Sequence, residues 1–332
     1  MKESILVTGA AGFAGSHLLE FLLRKSSQDW TFGKDSLEVH GVDRPLTRRD
    51  NIRHLEGAIV YHETDLTDFV STLSLLRKIS PDRIFHLAGQ SFVPTSWKAP
   101  EETLRTNINA ELNIFEACRE LGIRPRIQIA CSSEEYGLVL PYELPITEAN
   151  PLRPLSPYAV SKVAQDMLGY QYFKSYGLPI IRTRAFNHTG PRRGEQFATS
   201  AFAKQIAELE VGARGRILVG NLDTLRDLTD VRDMVQGYWM ATEKGEPGEV
   251  YNLCSGRAYP MKDVLQKLLD LAGIPDARVE QDPDRMRPSD VPVLLGNPDK
   301  FRERTGWASG IPIEKTLKDL LTFWREKIAG AR

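Results

Sequence analysis

The sequence predicts an α/β fold, a doubly wound parallel sheet followed by a smaller α/β substrate-binding lobe, and three observations predict it. Short apolar or β-branched runs alternate with longer amphipathic runs through the first half of the chain, the pattern of strands interleaved with covering helices. A glycine-rich turn, Thr8-Gly9-Ala10-Ala11-Gly12-Phe13-Ala14-Gly15, follows the first of those runs. Much later, Tyr158 and Lys162 stand four residues apart, about one helical turn, so phenol and ammonium project from the same face.

Ile5 to Val7 reads as the first strand and Ser16 to Arg24 as the helix that the glycine turn opens. Glycines let backbone approach a pyrophosphate, and the helix amino terminus offers unpaired N–H groups and a favourable dipole to the anion. Strand, turn and helix together specify a Rossmann-type dinucleotide site, with Gly9, Gly12, Phe13 and Ala14 against the cofactor. An exposed insertion is expected over Ser26 to Ser36, and the second strand, Leu37 to Val42, ends at Asp43. That carboxylate lies further from Gly15 than the usual spacing of about 20 residues. It can accept from both adenosine ribose hydroxyls and would repel a 2'-phosphate, which favours NAD(H) over NADP(H). Arg44, with Arg48 and Arg49, argues the other way, since an arginine beside the ribose can hold that phosphate; a solvated basic loop is the alternative. After the third strand, Ile59 to His62, come Asp65 and Leu66. Asp65 could reach the adenine amine or simply cap a helix. The fourth strand, Arg83 to Leu87, leads into Leu87-Ala88-Gly89, small enough for the cofactor to lie close.

The fifth strand, Arg126 to Ala130, is followed by Ser132-Ser133-Glu134-Glu135-Tyr136-Gly137, expected beside the nicotinamide and opposite the Tyr158 helix. Ser132 can hydrogen-bond a substrate oxygen. Tyrosine ordinarily titrates near 10, so proton exchange at neutral pH needs a lower value, and Lys162 carries the positive charge to provide it. The same lysine can donate to the nicotinamide ribose, so Tyr158 and Lys162 count both as catalytic groups and as cofactor contacts. Glu135 should point away from Glu134, and His86 and His188 read as packed or hydrogen-bonded. A helix from Tyr158 to Tyr176, a strand from Leu178 to Ala185 and a return near Val250 to Cys254 complete the main sheet. The expected division is residues 1–186 with 223–254 returning to them, and a sugar-nucleotide lobe from 187–222 and 255–330.

At 332 residues and 41% hydrophobic, the chain can bury a substantial core. Lys and Arg (43) nearly balance Asp and Glu (44), which offers no argument for nucleic acid as a partner. No membrane span or secretory leader is legible, and the expected setting is cytoplasmic. Cys118, Cys131 and Cys254 lack the spacing of a disulfide framework or a zinc site, so no metal is expected.

The glycine turn, Asp65-Leu66, Ser132, and Tyr158 with Lys162 resemble, in order and span, the extended short-chain dehydrogenase/reductase family. Phe186-Asn187-His188-Thr189-Gly190-Pro191, Gly220-Asn221-Leu222 with Arg226-Asp227, and Arg287-Pro288-Ser289-Asp290-Val291-Pro292 are similar to its GDP-sugar branch, which holds 4,6-dehydratases and 4-keto reductases. That resemblance implies that Asn187 binds the diphosphate, that Lys204, Val219 and Asn221 approach the guanine, and that Arg226 and Arg287 hold phosphate oxygens. It implies Asp290 at the guanosine ribose, Ser91 and Ser133 among the substrate contacts, and a homodimer pairing the helices Glu101 to Leu121 and Tyr158 to Tyr176. Length and the Arg287 motif look more like a reductase, which would act on the C4 ketone of a GDP-4-keto-6-deoxy-hexose, of the GDP-rhamnose-forming type. Pro191-Arg192-Arg193-Gly194-Glu195 looks more like a dehydratase, in which Glu134 matches the base that removes a C5 proton. A redox-inactive nucleotide sensor on the same fold is a third reading, and the retained Ser132, Tyr158 and Lys162 argue against it.

Overall fold

Alternation within the strands decides which face each side chain meets. In the computed structural model, which describes residues 2–28, 37–286 and 291–330, Ile5 and Val7 of β1 (Glu3–Thr8) join one apolar layer and Leu6 joins the other. Burial on both faces is what a strand covered by helices on both sides requires. α1 (Phe13–Gln28) follows the glycine turn, then β2 (Leu37–Asp43), β3 (Val60–Glu63), α2 (Phe69–Ile79) and β4 (Arg83–His86). α3 (Val93–Lys98), α4 (Pro100–Leu121), β5 (Arg126–Ser132), α5 (Pro157–Tyr176) and β6 (Ile180–Ala185) complete the first part. Most of the expected insertion lies outside the described residues.

The later elements are β7 (Asn187–Thr189), α6 (Ala198–Glu210), β8 (Ile217–Val219), β9 (Leu225–Asp230), α7 (Val231–Lys244) and β10 (Val250–Leu253). After them come β11 (Ala258–Pro260), α8 (Met261–Ala272), β12 (Val279–Gln281), β13 (Val293–Leu294), α9 (Asp299–Thr305) and α10 (Ile313–Ala329).

Seven strands form one parallel sheet in the order β10-β6-β5-β4-β1-β2-β3. Leu18, Leu22 and Trp239 of α1 and α7 pack on one face, and Leu76, Phe115 and Tyr172 of α2, α4 and α5 on the other. Strand order reverses between β1 and β4, the place where a crevice opens at the carboxyl ends of such a sheet. Ser156 caps α5 by accepting from the Ala159 N–H at 3.1 Å, Pro157 occupies its first turn, and Gly177 ends it at φ +67°. Those signals fix the helix that carries Tyr158.

The smaller lobe packs α6, α8 and α10 around Phe202, Val264, Leu317 and Trp324. Its β11-β9-β13 sheet, with β7 also paired to β9, and the β12-β8 pair complete it. One expected boundary moves: β9, placed by the sequence with the returning stretch, belongs to this lobe, and the return begins at α7. Residues 299–305 travel the other way, because Phe301 of α9 packs under Tyr251 of the main sheet at 5.4 Å between ring centroids. Apolar runs of this length mark strands, but which sheet accepts them depends on partners far away in sequence.

Candidate active site

The β1–α1 turn is closed by backbone geometry that only glycine tolerates at two positions. Gly9 sits at φ +69°, and a Cβ on Gly15 would lie 2.1 Å from the Gly9 carbonyl oxygen. Thr8 ties the neighbouring loop to this turn: the N–H groups of Leu87 and Ala88 donate to its Oγ1 at 3.1 and 3.0 Å. The His86 Nδ1 lies 3.0 Å from the same oxygen, and burial holds its imidazole down at about 3. His86 is thus a neutral packed residue, as the sequence suggested.

Asp43 closes the adenosine side of the cleft. One of its oxygens accepts from the Ala11 N–H at 2.8 Å and from the Tyr61 hydroxyl at 3.2 Å. Burial pushes this carboxyl up to about 6, against the pull of those two donors and of Arg44. The glycine cradle, the α1 amino terminus and a carboxylate at the end of β2 fit a dinucleotide. Ser91 and Leu66 line the same cleft, with Thr64 and Thr67 beside Leu66.

The opposite end gathers the reactive groups. Ser132 closes β5, and its Oγ accepts from the Glu134 N–H at 3.2 Å while its own N–H donates to Glu135 Oε1 at 2.7 Å. That capping box turns the chain so that Glu134 faces the cleft and Glu135 is fully buried. Tyr158 is buried against the Ser132 hydroxyl. Burial raises its phenol well above the ordinary value, Glu134 and Glu135 raise it further, and Ser132 and Arg193 pull it back. Lys162 lines the same cleft, and its ammonium donates to the Ala130 carbonyl at 2.8 Å and lies 6.0 Å from the Tyr158 ring centroid. Burial lowers the lysine's own value, and Cys131, Glu111 and Glu135 support its charge.

Beneath the floor, Glu135 and Asp166 flank Arg184, whose Nε lies 3.2 Å from one carboxylate and 2.7 Å from the other. Arg182 pairs with the same aspartate, and Arg184 donates to the Tyr136 hydroxyl, which donates to Asn252 at 2.7 Å. Spacing alone did not reveal this pairing of Asp166 and Arg184 under the turn after β5. Nor did it reveal the link through Asn107, which accepts from the Gln90 N–H at 2.7 Å and donates to Ser161 at 2.9 Å, joining the β4 loop to α5.

One cleft of about 920 Å³ holds nearly all of the expected residues. Gly9, Gly12, Phe13, Ala14, Asp43, Arg44, Leu87, Ala88 and Gly89 line its cofactor end. Ser132, Ser133, Glu134, Tyr158 and Lys162 line its centre, and Asn187, Val219, Asn221 and Arg226 its far end. Two of the expected residues do not line the cleft. Asp65 is exposed and accepts from the N–H and hydroxyl of Thr67 at 2.9 and 2.8 Å, a local turn that holds it off the cleft. Lys204 is turned to Glu195 and Glu208 and stacks 5.6 Å from the Trp324 ring centroid, outside the cleft. Arg287 and Asp290 lie outside the described residues. Arg193, Phe197 and Tyr238 also line the cleft, and the sequence assigned them nothing. Arg193 stood within a conspicuous motif, whereas Tyr238 comes from the middle of α7, where no local signal marks it.

Sheet order, glycine turn and the Ser132, Tyr158 and Lys162 set define a nucleotide-sugar enzyme of the extended short-chain dehydrogenase/reductase class. The chain belongs to the GDP-mannose 4,6 dehydratase family, whose sequence profile matches residues 6–320. It is 31% identical over 331 residues to the GDP-6-deoxy-D-mannose reductase of Pseudomonas aeruginosa, with 99% of each chain covered. It is 32% identical over 360 residues to the GDP-mannose 4,6-dehydratase of Yersinia enterocolitica, covering 97% of this chain and 93% of that one. The solved structure of RMD from Pseudomonas aeruginosa complexed with NADPH superposes with a TM-score of 0.84 at 30% identity, covering 98% of this chain and 100% of that one. Among the described residues no helix is long and apolar enough to cross a membrane.

Proposed function

We propose that this protein reduces the C4 ketone of a GDP-4-keto-6-deoxy-hexose with a nicotinamide cofactor, NAD(H) in preference to NADP(H). The observation that carries the reading is the seating of Ser132 and Tyr158 side by side, midway along one cleft that runs from the glycine turn to Val219 and Asn221. A substrate carbonyl reached from the far end meets the phenol where the dinucleotide end terminates.

Gly9, Gly12, Phe13, Ala14 and Asp43 would hold a reduced nicotinamide dinucleotide, which would supply the hydride for C4. Tyr158 gives its hydroxyl proton to the oxygen as negative charge develops there, and the Ser132 hydroxyl hydrogen-bonds the same oxygen. Lys162 lines the same cleft and supplies positive charge there, held in place by the Ala130 carbonyl. Phosphate oxygens of the substrate suit Asn187 and Arg226, with the base near Val219 and Asn221. Arg287 and Asp290 are proposed partners of the phosphate and the ribose on the resemblance alone. Asp43 supports NAD(H), because one carboxylate oxygen is engaged by Ala11 and Tyr61 and the residue still lines the cleft where ribose hydroxyls would donate. The NADPH named for the Pseudomonas structure is the contrary precedent.

The full-length match to a reductase, without the extra alignment length of the dehydratases, supports reduction. One observation favours dehydration instead: Glu134 lines the cleft beside Tyr158, where a base could take a C5 proton. Purified protein incubated with GDP-mannose alone, or with its 4-keto-6-deoxy derivative plus NADH or NADPH, separates the readings. Consumption of NADH with the keto sugar is the expected result. Turnover of GDP-mannose without added reductant assigns the dehydratase, and no turnover of either assigns the sensor. The outward face of α5 carries the half-exposed Val160, Met167 and Tyr170, which support the homodimer through α4 and α5.

A further inference from the structure

We propose that Arg192 is a positioning residue that couples the two ends of the cleft, so that a nicotinamide dinucleotide on the glycine turn raises the affinity for the sugar nucleotide. The inference rests on the reading above that these ends take a dinucleotide and a nucleoside diphosphate sugar.

Arg192 belongs to the loop between β7 and α6, on the lobe, yet its guanidinium bonds across to the other side. It donates to Glu20 and to the His17 Nδ1 of α1, both at 2.9 Å, and to the Asn51 carbonyl beyond β2 at 3.2 Å. The backbone takes φ +70° here, the left-handed region that favours glycine. Such a conformation persists where the surroundings over-determine it, and three bonds from one side chain do that. His17 closes the clamp from the opposite direction, donating from Nε2 to the Pro191 carbonyl at 2.9 Å. Burial, with Arg192 beside it, holds that imidazole down at about 4, so it stays neutral and keeps Nδ1 as an acceptor.

Glu20 is shared. Its second oxygen lies 2.6 Å from the His54 Nε2, so the segment beyond β2 is drawn to the same carboxylate. Burial acts to raise the Glu20 carboxyl, and Arg192 and His54 outweigh it, leaving the group below the usual carboxylate value. With 13% of the Arg192 side chain and 22% of the Glu20 side chain exposed, water screens this pair less than a surface ion pair.

The clamp reaches the cofactor end through Asn51 and Phe13. Asn51 accepts from Arg192 on its carbonyl and donates from its side chain to the Ala11 carbonyl at 3.0 Å, while the Ala11 N–H donates to Asp43 at 2.8 Å. Phe13, which opens α1 on the glycine turn, sets its ring edge-on to His17 and stacked on His188, both at 5.8 Å between centroids. On the lobe side, Arg193 is fastened next to Arg192, its N–H donating to Gly190 at 3.2 Å and its carbonyl accepting from the Ser200 hydroxyl at 2.7 Å. Its guanidinium carbon lies 4.8 Å from the Phe13 ring centroid and 3.5 Å from that of Phe197. Ala11, Phe13 and Asp43 line the cleft at one end of this chain of contacts, and His188, Arg193 and Phe197 line it at the other.

A pyrophosphate on the glycine turn removes freedom from that turn and from the start of α1. Through Asn51, His17 and Glu20 the same freedom is removed from Arg192, and the loop meets the second ligand already ordered. Linkage makes the effect reciprocal: the sugar nucleotide must raise affinity for the dinucleotide by the same factor.

Two measurements test this, each made with whichever of NADH and NADPH binds tighter. In amide hydrogen exchange over residues 187–200, the dinucleotide is expected to slow exchange about tenfold in the wild type and less than about twofold in Arg192→Met and Arg192→Gly. Arg192→Gly suits the left-handed backbone, so it separates loss of the clamp from loss of the fold. In calorimetry, GDP is expected to bind about tenfold tighter with the dinucleotide present than without it. That ratio should fall to near one in both variants and return in part in Arg192→Lys, which keeps a charge toward Glu20. A wild-type ratio in both variants would overturn the proposal, as would wild-type loop exchange indifferent to the dinucleotide or an Arg192→Lys protein with no partial return. Failure of GDP to bind under any condition sinks the substrate reading instead, and the exchange measurement then decides the role of Arg192 by itself.

Discussion

Under the proposed preference for NAD(H), the buried carboxylate of Asp43 would couple cofactor choice to pH. Burial raises it to about 6, so it is largely ionised at neutral pH and protonated below that value. Ribose hydroxyls donate to the ionised form, and the same charge repels a 2'-phosphate. Preference for NADH over NADPH should therefore be greatest above pH 6 and shrink as pH falls through it, a change readable by fluorescence titration of both cofactors on either side of that pH. A ratio of affinities that is constant across the range would remove Asp43 from cofactor selection. An Asp43→Asn protein should show the low-pH ratio at every pH, lowering the preference by about tenfold or more. At the same scale, the ammonium of Lys162 is held by the Ala130 carbonyl at 2.8 Å and lies 6.0 Å from the Tyr158 ring centroid.

Among the elements, the turn after β5 depends most on what lies under it. Ser132 and Glu134 face the cleft only because Glu135 is drawn inward to Arg184, and Arg184 in turn is shared with Asp166 of α5 and Tyr136. This joins β5, β6 and α5 through charges that are all out of water. Removing one member of such a set leaves the others uncompensated, a loss of about 3–5 kcal/mol. Arg184→Met should lower the urea midpoint correspondingly and reduce turnover through displacement of Ser132. A midpoint within error of the wild type would mean that this network carries little of the stability of the fold. Both elements that carry reactive groups were visible beforehand, β5 from its apolar run and α5 from Ser156, Pro157 and Gly177. The network below was not, since Glu135, Asp166 and Arg184 are far apart in sequence and charged residues are ordinarily solvated.

In the whole molecule, the main sheet and the lobe meet along one cleft, and the loop through Arg192 fastens that meeting to α1. On the far side, Val160, Met167 and Tyr170 leave about 45% of their surface exposed along α5, an apolar stripe suited to the proposed pairing with a second copy. Met167→Glu with Tyr170→Glu should shift the protein to the monomer mass in light scattering with the fold retained, whereas a wild-type protein that already runs as a monomer ends that proposal. The sequence by itself determined the strand and helix order, the glycine turn and the candidate set of Ser132, Tyr158 and Lys162, because periodicity, glycine placement and helix caps are local properties of the chain. It could not determine that β9 joins the lobe, that Asp65 bonds Thr67 and Lys204 pairs with Glu195, or that Arg193 lies against the rings of Phe13 and Phe197. Those outcomes follow from which distant partner each group meets, and only packing in three dimensions sets that competition.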